Sequence, residues 1–229
     1  MVYKINKNKI DENVLEKAVD ILRSGGVIIY PTDTAYGLGC DATNEMAVEK
    51  IYKIKQRTKA KSMPVIAGSF SMAEKYFIFL EKEKELATKF WLNTPLAPRP
   101  SGVFGRALKG GTAGKGKLSI VLKVKKNIKI AKSVMAEDGT AAVRVPDSLW
   151  ACALSLKLGK LIVSTSANLA GVDSCYSIGG IKKTGVDFND INIILDGGIL
   201  PRVMPSTIVK VKDGKVKILR KGSAGIVDL

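Results

Sequence analysis

The sequence predicts an α/β protein in which helices flank a twisted mixed sheet. Two observations carry this prediction: apolar stripes at helical spacing alternate with short apolar runs typical of strands, and most of these runs end at a capping or turn residue. At 229 residues and 46% hydrophobic content, the chain can bury one sizeable core and is too apolar for general disorder. Because no internal repeat or linker is visible, residues 1–229 are predicted to form a single domain.

Capping residues and apolar runs predict the elements in order. The first helix ends at two glycines, and the strand that follows is an apolar run, expected to be buried on both faces and to stop pairing at Pro31. The predicted helix starts are Asp11, Asn44, a capping box of Ser71 with Glu74, and Asp147, with a further helix around Leu86 and Phe90. The predicted strands are 27–30, 63–67, 118–124, 141–145, 161–164 and 193–195.

The last predicted element is a hairpin. Asp213-Gly214 separates the strands 207–212 and 215–218, a pattern typical of a two-residue turn. This register gives one apolar face and one face of four lysines, which requires either solvent or an anionic partner.

Residues 92–117 differ from the rest of the chain, since they are rich in Gly and Pro, basic, and free of acidic residues. We interpret them as a flexible surface loop.

Composition restricts the chemistry. The chain has no histidine, which excludes Ser-His-Asp and Cys-His catalysis, and its three cysteines form no CxxC pair. A formal charge of +16 attracts polyanions, either a nucleic acid or the phosphates of a nucleotide, although excess lysine also occurs without a specific partner. No apolar run approaches the roughly 20 residues of a membrane-spanning helix, and no signal peptide is visible, so a cytoplasmic location without membrane contact is expected.

Three polar clusters stand beside predicted strands. Thr32-Asp33-Thr34 follows the first strand, and Ser164-Thr165-Ser166-Ala167-Asn168 follows a later one, where α/β sheets bind ligands. Taken alone, each of these two clusters is equally typical of an ordinary polar turn. Lys55-Gln56-Arg57, with Lys59 and Lys61 nearby, ends a helix. The arginine fork and lysine charges suit a triphosphate, although cations also stabilise a helix C-terminus without any ligand.

The order of these motifs along the chain resembles that of the YrdC-like family, the threonylcarbamoyl-AMP synthases. The matching stretches are YPTDTAYGLG, K-x-R at 55–57, AVRVPDS at 142–148, STSANLAG at 164–171, DGG at 196–198 and PSTIV at 205–209. The chain resembles the short single-domain form of the family. This resemblance implies a YrdC-like twisted sheet around a deep basic cleft. It also implies formation of threonylcarbamoyl-adenylate and pyrophosphate from L-threonine, bicarbonate and ATP with Mg²⁺. The product would pass to a downstream threonylcarbamoyl transferase that modifies tRNA.

The resemblance also implies roles for individual residues. Lys55, Arg57, Ser166 and Asn168 are the expected catalytic residues. Those expected to bind ATP are Lys55, Arg57, Lys61, Ser119, Ala142, Arg144 and Arg220, and those expected to bind threonine are Thr34, Lys123 and Ser166. No protein ligand for a metal is expected, because Mg²⁺ is held by phosphates and water.

One departure from the family is the segment 92–117, where 26 residues replace a short turn. It leads into the strand that carries Ser119, so the departure falls next to one wall of the expected site.

Two other functions remain open. The chain can be a module that binds tRNA or double-stranded RNA without catalysis, or can transfer a carbamoyl-adenylate to another acceptor, as the YrdC-like segment of hydrogenase-maturation carbamoyltransferases does.

Overall fold

The computed structural model describes residues 1–58, 62–91 and 116–225. These residues form eleven strands and six α-helices. The strands are β1 (Val2–Lys4), β2 (Ile28–Pro31), β3 (Tyr36–Asp41), β4 (Val65–Ile66), β5 (Phe77–Ile78), β6 (Leu118–Val124), β7 (Thr140–Arg144), β8 (Ile162–Ser166), β9 (Ile193–Asp196), β10 (Thr207–Lys212) and β11 (Lys215–Arg220). The helices are α1 (Glu12–Arg23), α2 (Glu45–Ile54), α3 (Phe70–Tyr76), α4 (Glu81–Trp91), α5 (Leu149–Leu158) and α6 (Ile178–Lys183).

All of these strands belong to one mixed sheet, which confirms the predicted fold class. Its order is β1-β9-β2-β3-β8-β4-β7-β6-β10-β11, with β5 paired to the far end of β6. Parallel pairs such as β4 with β7 stand beside antiparallel pairs such as β6 with β7. Strands that are distant in sequence are therefore neighbours in the sheet, and their polar ends can form one site.

The core has two parts because helices cover both faces of the sheet. Leu15 of α1 and Trp150 of α5 are buried in one cluster. Ile51 of α2 and Trp91 of α4 are buried in the other. The strand predicted at 27–30 corresponds to β2, and every residue of β2 is buried, as expected. Its pairing with β3 ends at Pro31 and Tyr36.

Two of the predicted helix starts are confirmed and two are wrong. Asp11 and Asn44 cap α1 and α2 through their side chains. Ser69, rather than Ser71, caps α3, and Ser148, rather than Asp147, caps α5. Each error is one or two residues, because several neighbouring Ser and Asp residues can fill a capping position and only the backbone geometry selects one.

The strand β3 is not among the predicted elements, because its sequence contains two glycines. Gly39 is needed beside β2, because a Cβ there would lie 2.7 Å from the ring of Tyr30, closer than side-chain atoms pack. A Cβ on Gly37 would lie 3.5 Å from the same ring, an ordinary contact distance. The strands β1 and β5 and the helix α6 are also absent from the prediction, and each has six residues or fewer.

The C-terminal hairpin is confirmed in type and register. Lys212 pairs with Lys215, and Lys210 pairs with Lys217. The turn residues Asp213 and Gly214 both have positive φ, at 50° and 72°.

The predicted loop 92–117 lies outside the described residues except for its last two. Gly116 is buried, and the Lys117 carbonyl accepts a hydrogen bond of 2.9 Å from the backbone of Thr207. These two residues therefore belong to the packed structure beside β6. Within the described ranges, no helix combines the length and the apolar character that a membrane crossing requires.

Candidate active site

A cavity of about 1260 Å³ opens beside the strands β6, β7, β8, β10 and β11. It is lined by nine of the residues predicted to form the site, which come from well-separated parts of the chain. They are Thr34, Lys55, Arg57, Ser119, Ala142, Arg144, Ser166, Asn168 and Arg220.

Strand register explains how one wall of the cavity forms. Ser119 of β6 is the partner of Ile208 of β10, and Ile208 is also the partner of Arg220 of β11. On the other side of β6, Val121 is the partner of Ala142. These five residues all line the cavity, so the sheet itself presents its hydroxyl and guanidinium groups.

Two predicted residues are not among those lining the cavity. Lys123 shares the face of β6 with Ser119 but lies beyond the cavity, where its ammonium donates to the backbone carbonyl of Asp138. Lys61 falls outside the described residues.

Lys55 holds the loop after β8. Its Nζ donates to the carbonyl oxygens of Ser166 and Asn168 at 2.6 and 2.7 Å, and to Oδ1 of Asn168 at 3.1 Å. An ammonium has three hydrogens, so these acceptors use all of them. In this state Lys55 therefore organises the Ser166–Asn168 segment and offers no hydrogen to a phosphate.

The environment of Lys55 disfavours its charge. The residue is only 3% exposed, and burial, followed by the nearby charge of Arg57, lowers its pKa to about 8. Lys55 remains protonated at neutral pH, and its charge is the most deeply buried cation beside the cavity in the described structure.

Asn168 is part of the same arrangement. It is 4% exposed, its Oδ1 accepts from Lys55, and its Nδ2 donates to the Val172 carbonyl. Both ends of the amide are thus occupied within the protein. Ser166, in contrast, contributes its backbone carbonyl to Lys55 and has no hydrogen bond to its hydroxyl from the described residues.

The end of α2 places Arg57. Gln56 adopts a left-handed conformation, with φ of 47°, and the Arg57 N–H donates to the Tyr52 carbonyl at 3.0 Å. This is a Schellman ending with glutamine where glycine is usual, a conformation that costs about 1 kcal/mol or more for a residue with a Cβ. It turns the chain so that Arg57 lines the cavity and donates from Nη2 to the Ser62 carbonyl at 2.9 Å.

Arg144 and Asp33 form a buried ion pair. Nη1 of Arg144 lies 2.7 and 2.9 Å from the two carboxylate oxygens and 2.8 Å from the Gly116 carbonyl. The polar turn after β2 therefore divides its functions, since Asp33 holds an arginine while Thr34 lines the cavity. Thr32 fixes this turn, because its Oγ1 accepts from the backbone N–H groups of Thr34 and Ala35 at 3.2 Å.

Arg220 is held by Ser206. Its Nε and Nη2 donate to the Ser206 carbonyl at 3.1 and 2.7 Å, and Nη2 also reaches the Ser206 hydroxyl at 3.0 Å. That hydroxyl lies 3.1 Å from the hydroxyl of Ser119. Burial, and then the charge of Arg144, lowers the pKa of Arg220, which indicates that the two guanidinium groups are close enough to repel.

The three arginines of the cavity share one arrangement. Each has a terminal nitrogen fixed by the protein, and each has another terminal nitrogen without a hydrogen-bond partner among residues 1–58, 62–91 and 116–225. Nε of Arg57 is, in addition, buried without such a partner there. Only Arg144 has a carboxylate partner within these ranges. Such groups are suited to bind an anion with several oxygens.

Two carboxylates also line the cavity. Asp138 is paired with Lys210 at 2.6 Å, which, with hydrogen bonds from Thr140, lowers its pKa to about 2. Glu137 is exposed. The described residues contain no group of three or more His, Cys, Asp or Glu side chains suited to hold a metal ion.

Some of these residues could not be assigned from the motifs. Asp33 and Ser206 stand within motifs quoted above, yet nothing in the sequence indicates that each one holds an arginine. Gly116 lies in the segment predicted to be a loop, and its contact with Arg144 depends entirely on tertiary structure.

Comparison with known proteins identifies the family. The family model Sua5_yciO_yrdC, described as telomere recombination, matches residues 20–97 and 107–222. The "Threonylcarbamoyl-AMP synthase" of Pseudoalteromonas translucida is 30% identical over 210 residues, which cover 90% of this chain and 97% of that protein.

Two solved structures have the same fold. P. abyssi Sua5, complexed with L-threonine, has a TM-score of 0.78 and 26% identity over 97% of this chain, which spans only 57% of the Sua5 chain. E. coli YciO has a TM-score of 0.78 and 25% identity, and the match covers 99% of this chain and 97% of YciO. The family match spans most of the sequence, and the chain belongs to the Sua5/YciO/YrdC family.

Proposed function

We propose that this chain is a threonylcarbamoyl-AMP synthase, an enzyme of the nucleotidyltransferase class. It forms L-threonylcarbamoyladenylate and pyrophosphate from L-threonine, bicarbonate and ATP. The observation that carries the proposal is the set of three arginines, each anchored at one nitrogen and open at another, around one cavity. The activity named for the relative from P. translucida supports it.

The chemistry requires no imidazole base. Bicarbonate gives carbon dioxide and hydroxide, and the amine of threonine combines with the carbon dioxide and releases a proton, which gives a carbamate. The hydroxide and the proton leave as water. A carbamate oxygen then attacks the α-phosphorus of ATP, and the bond from that phosphorus to the bridging oxygen of the β-phosphate breaks. Pyrophosphate leaves with the electron pair. The protein needs chiefly to align the reactants and stabilise the charge on the phosphates, which suits a chain with no histidine.

The cavity divides these tasks among its residues. Arg57, Arg144 and Arg220 bind the triphosphate, together with Ser119 and the backbone around Ala142. Lys61 is assigned to the same group by the family resemblance alone.

Threonine is assigned to the region of Thr34 and Ser166, whose polar groups line the same cavity. Lys123 was expected to contact threonine, but it is beyond the lining and needs a shift of its ammonium away from Asp138 to do so. Lys55 and Asn168 keep the Ser166 segment in place.

Mg²⁺ enters as the complex with ATP. Its principal ligands are phosphate oxygens and water, and the protein supplies the cationic surroundings. The reaction takes place in the cytoplasm, and the labile product passes to a downstream threonylcarbamoyl transferase that modifies tRNA.

The test is pyrophosphate release by the purified chain with ATP, Mg²⁺ and bicarbonate, with and without L-threonine. We expect release only when threonine is present, and a product with the mass of threonylcarbamoyladenylate. Threonine-independent ATP hydrolysis, or no turnover by a folded protein, would refute the proposal.

A second role, binding of tRNA or double-stranded RNA, is favoured by the hairpin. Lys212, Lys215 and Lys217 are exposed and have no carboxylate within salt-bridge distance among the described residues, whereas Lys210 is neutralised by Asp138. Replacing the three exposed lysines by Gln should weaken binding and flatten its dependence on salt. Unchanged RNA affinity in that variant would remove the hairpin from consideration.

A further inference from the structure

The ion pair between Asp33 and Arg144 joins three segments that are distant in sequence. Asp33 lies in the turn after β2, Arg144 ends β7, and Gly116 lies two residues before β6. The two side chains are 5% and 8% exposed. All three contacts are made by the same terminal nitrogen of Arg144.

Only one member of this pair lines the cavity. Arg144 does and Asp33 does not, so Asp33 has no direct access to a ligand there. We propose that Asp33 is a positioning residue, which fixes one end of the Arg144 guanidinium so that its other nitrogens meet a phosphate of the bound nucleotide. The inference rests on the proposed function for the identity of the anion.

Electrostatics explain why Arg144 needs an anchor. Arg144 and Arg220 line the same cavity, and the Arg144 charge lowers the pKa of Arg220, so the two cations repel before any ligand binds. A long arginine side chain without a fixed partner would adopt rotamers away from its neighbour. The carboxylate of Asp33 counters this repulsion and holds the guanidinium against the wall.

Gly116 supplies a second restraint on the same nitrogen. Its φ is +67°, and a Cβ at this position would lie 2.1 Å from the backbone nitrogen of Asp147. Only glycine therefore allows the chain to pass there and present its carbonyl to Arg144. Two independent contacts thus define the position of Nη1.

A purely structural ion pair is the competing explanation. Buried ion pairs are weak evidence for stability, because desolvation opposes the attraction between the charges. The two explanations differ in whether Asp33 affects ligand binding through Arg144, which a double-mutant cycle measures.

The experiment is calorimetric titration of the full chain with inorganic triphosphate and with ATP. The variants are Asp33→Asn, Arg144→Met and the double variant. We expect Asp33→Asn to weaken triphosphate binding by about 10- to 100-fold, as typical losses for displaced supporting contacts suggest. The double variant should bind no more weakly than Arg144→Met alone. The KM for L-threonine should change by less than about twofold, since the ion pair acts on the phosphate side.

Asp20→Asn is the matched control, because Asp20 pairs with Arg23 on the surface, where the two side chains are 64% and 48% exposed. It should bind triphosphate like the wild type. Additive losses in the double variant, or unchanged triphosphate affinity with a lowered melting temperature in Asp33→Asn, would overturn the inference. If Asp33→Asn does not fold, Asp33→Glu takes its place: it keeps the charge but displaces the carboxylate, and wild-type affinity in that variant would equally overturn it.

The binding measurement also separates this inference from the proposed function. If the wild type binds triphosphate but releases no pyrophosphate with threonine, the proposed function fails and the cycle still decides the role of Asp33.

Discussion

The substitution Lys55→Met distinguishes two possible roles of Lys55: holding the Ser166–Asn168 segment in place, and contacting a phosphate. Met has a similar length and keeps the aliphatic contacts, but removes three hydrogen bonds to Ser166 and Asn168. If the main task of Lys55 is to hold this segment, the variant loses stability and turnover together. If its task is to contact ATP, turnover falls and stability does not.

The magnitude follows from two opposing contributions. Each buried acceptor left unsatisfied costs about 1–3 kcal/mol, so three of them cost at least about 3 kcal/mol and at most about 9 kcal/mol. Removal of the buried charge offsets part of this cost. A pKa of about 8, against the ordinary value of 10.5, corresponds to about 3 kcal/mol. Because carbonyl oxygens tolerate partial loss and water can enter from the cavity, we expect a net loss of about 2–4 kcal/mol. For a chain of this size that lowers the melting temperature by roughly 4–16 °C.

The assay combines thermal unfolding with threonine-dependent pyrophosphate release. Lys53→Met is the matched control, because Lys53 lies two residues earlier, on the exposed side of α2. The control should unfold at the wild-type temperature and turn over at a similar rate. A Lys55→Met variant that melts like the wild type yet has no turnover would refute the loop-holding role and assign Lys55 to the phosphates instead.

Three further predictions concern the same site. Arg57→Lys keeps the charge but loses the fork, so turnover should fall by about 100-fold or more while the melting temperature changes little, because the described residues receive a single hydrogen bond from this side chain. Full turnover would remove Arg57 from the phosphate site. Asn168→Ala should lower the free energy of unfolding by about 1–3 kcal/mol as well as turnover, since the amide is 4% exposed and bonded at both ends, and an unchanged denaturant midpoint would contradict this role. The free energy of unfolding of the wild type relative to Lys55→Met should rise between about pH 8 and pH 10.5, because Lys55 keeps its proton in the unfolded chain and loses it in the folded one. Urea unfolding at pH 7.5 and pH 10 measures this difference. A fall would mean that the pKa of Lys55 is not lowered in the folded protein.

Local signals in the sequence were sufficient for many of the elements. The capping residues Asp11 and Asn44 and the Asp-Gly turn of the hairpin each act within a few residues, so their patterns carry enough information. The strand β3 is not among the predicted strands, because it contains two glycines, of which Gly39 is required by the Tyr30 ring of the neighbouring strand. That requirement is a tertiary contact and has no local pattern.

For the site, too, local motifs could be predicted from the sequence and tertiary contacts could not. The order of the motifs identified nine residues that line the cavity, because the motifs can be recognised in the sequence without knowledge of the fold. The hydrogen-bond partner of each side chain could not be predicted from the sequence. Lys55 is directed to its neighbouring loop, and Asp33 to an arginine 111 positions away, through packing that involves the whole sheet.

The strand order has a consequence for how the protein is made. On the ribosome, β6 and its serine emerge long before β10, the strand that pairs with β6 on one side. The wall that carries Arg220 is completed only when β11 has been synthesised and the hairpin has docked. A nascent chain that stops before this point holds unpaired strand edges and a cavity open on one side. Domains with such late, long-range pairings fold slowly and are exposed to aggregation, so docking of the last hairpin is the step that pairs β6 and completes the cavity wall.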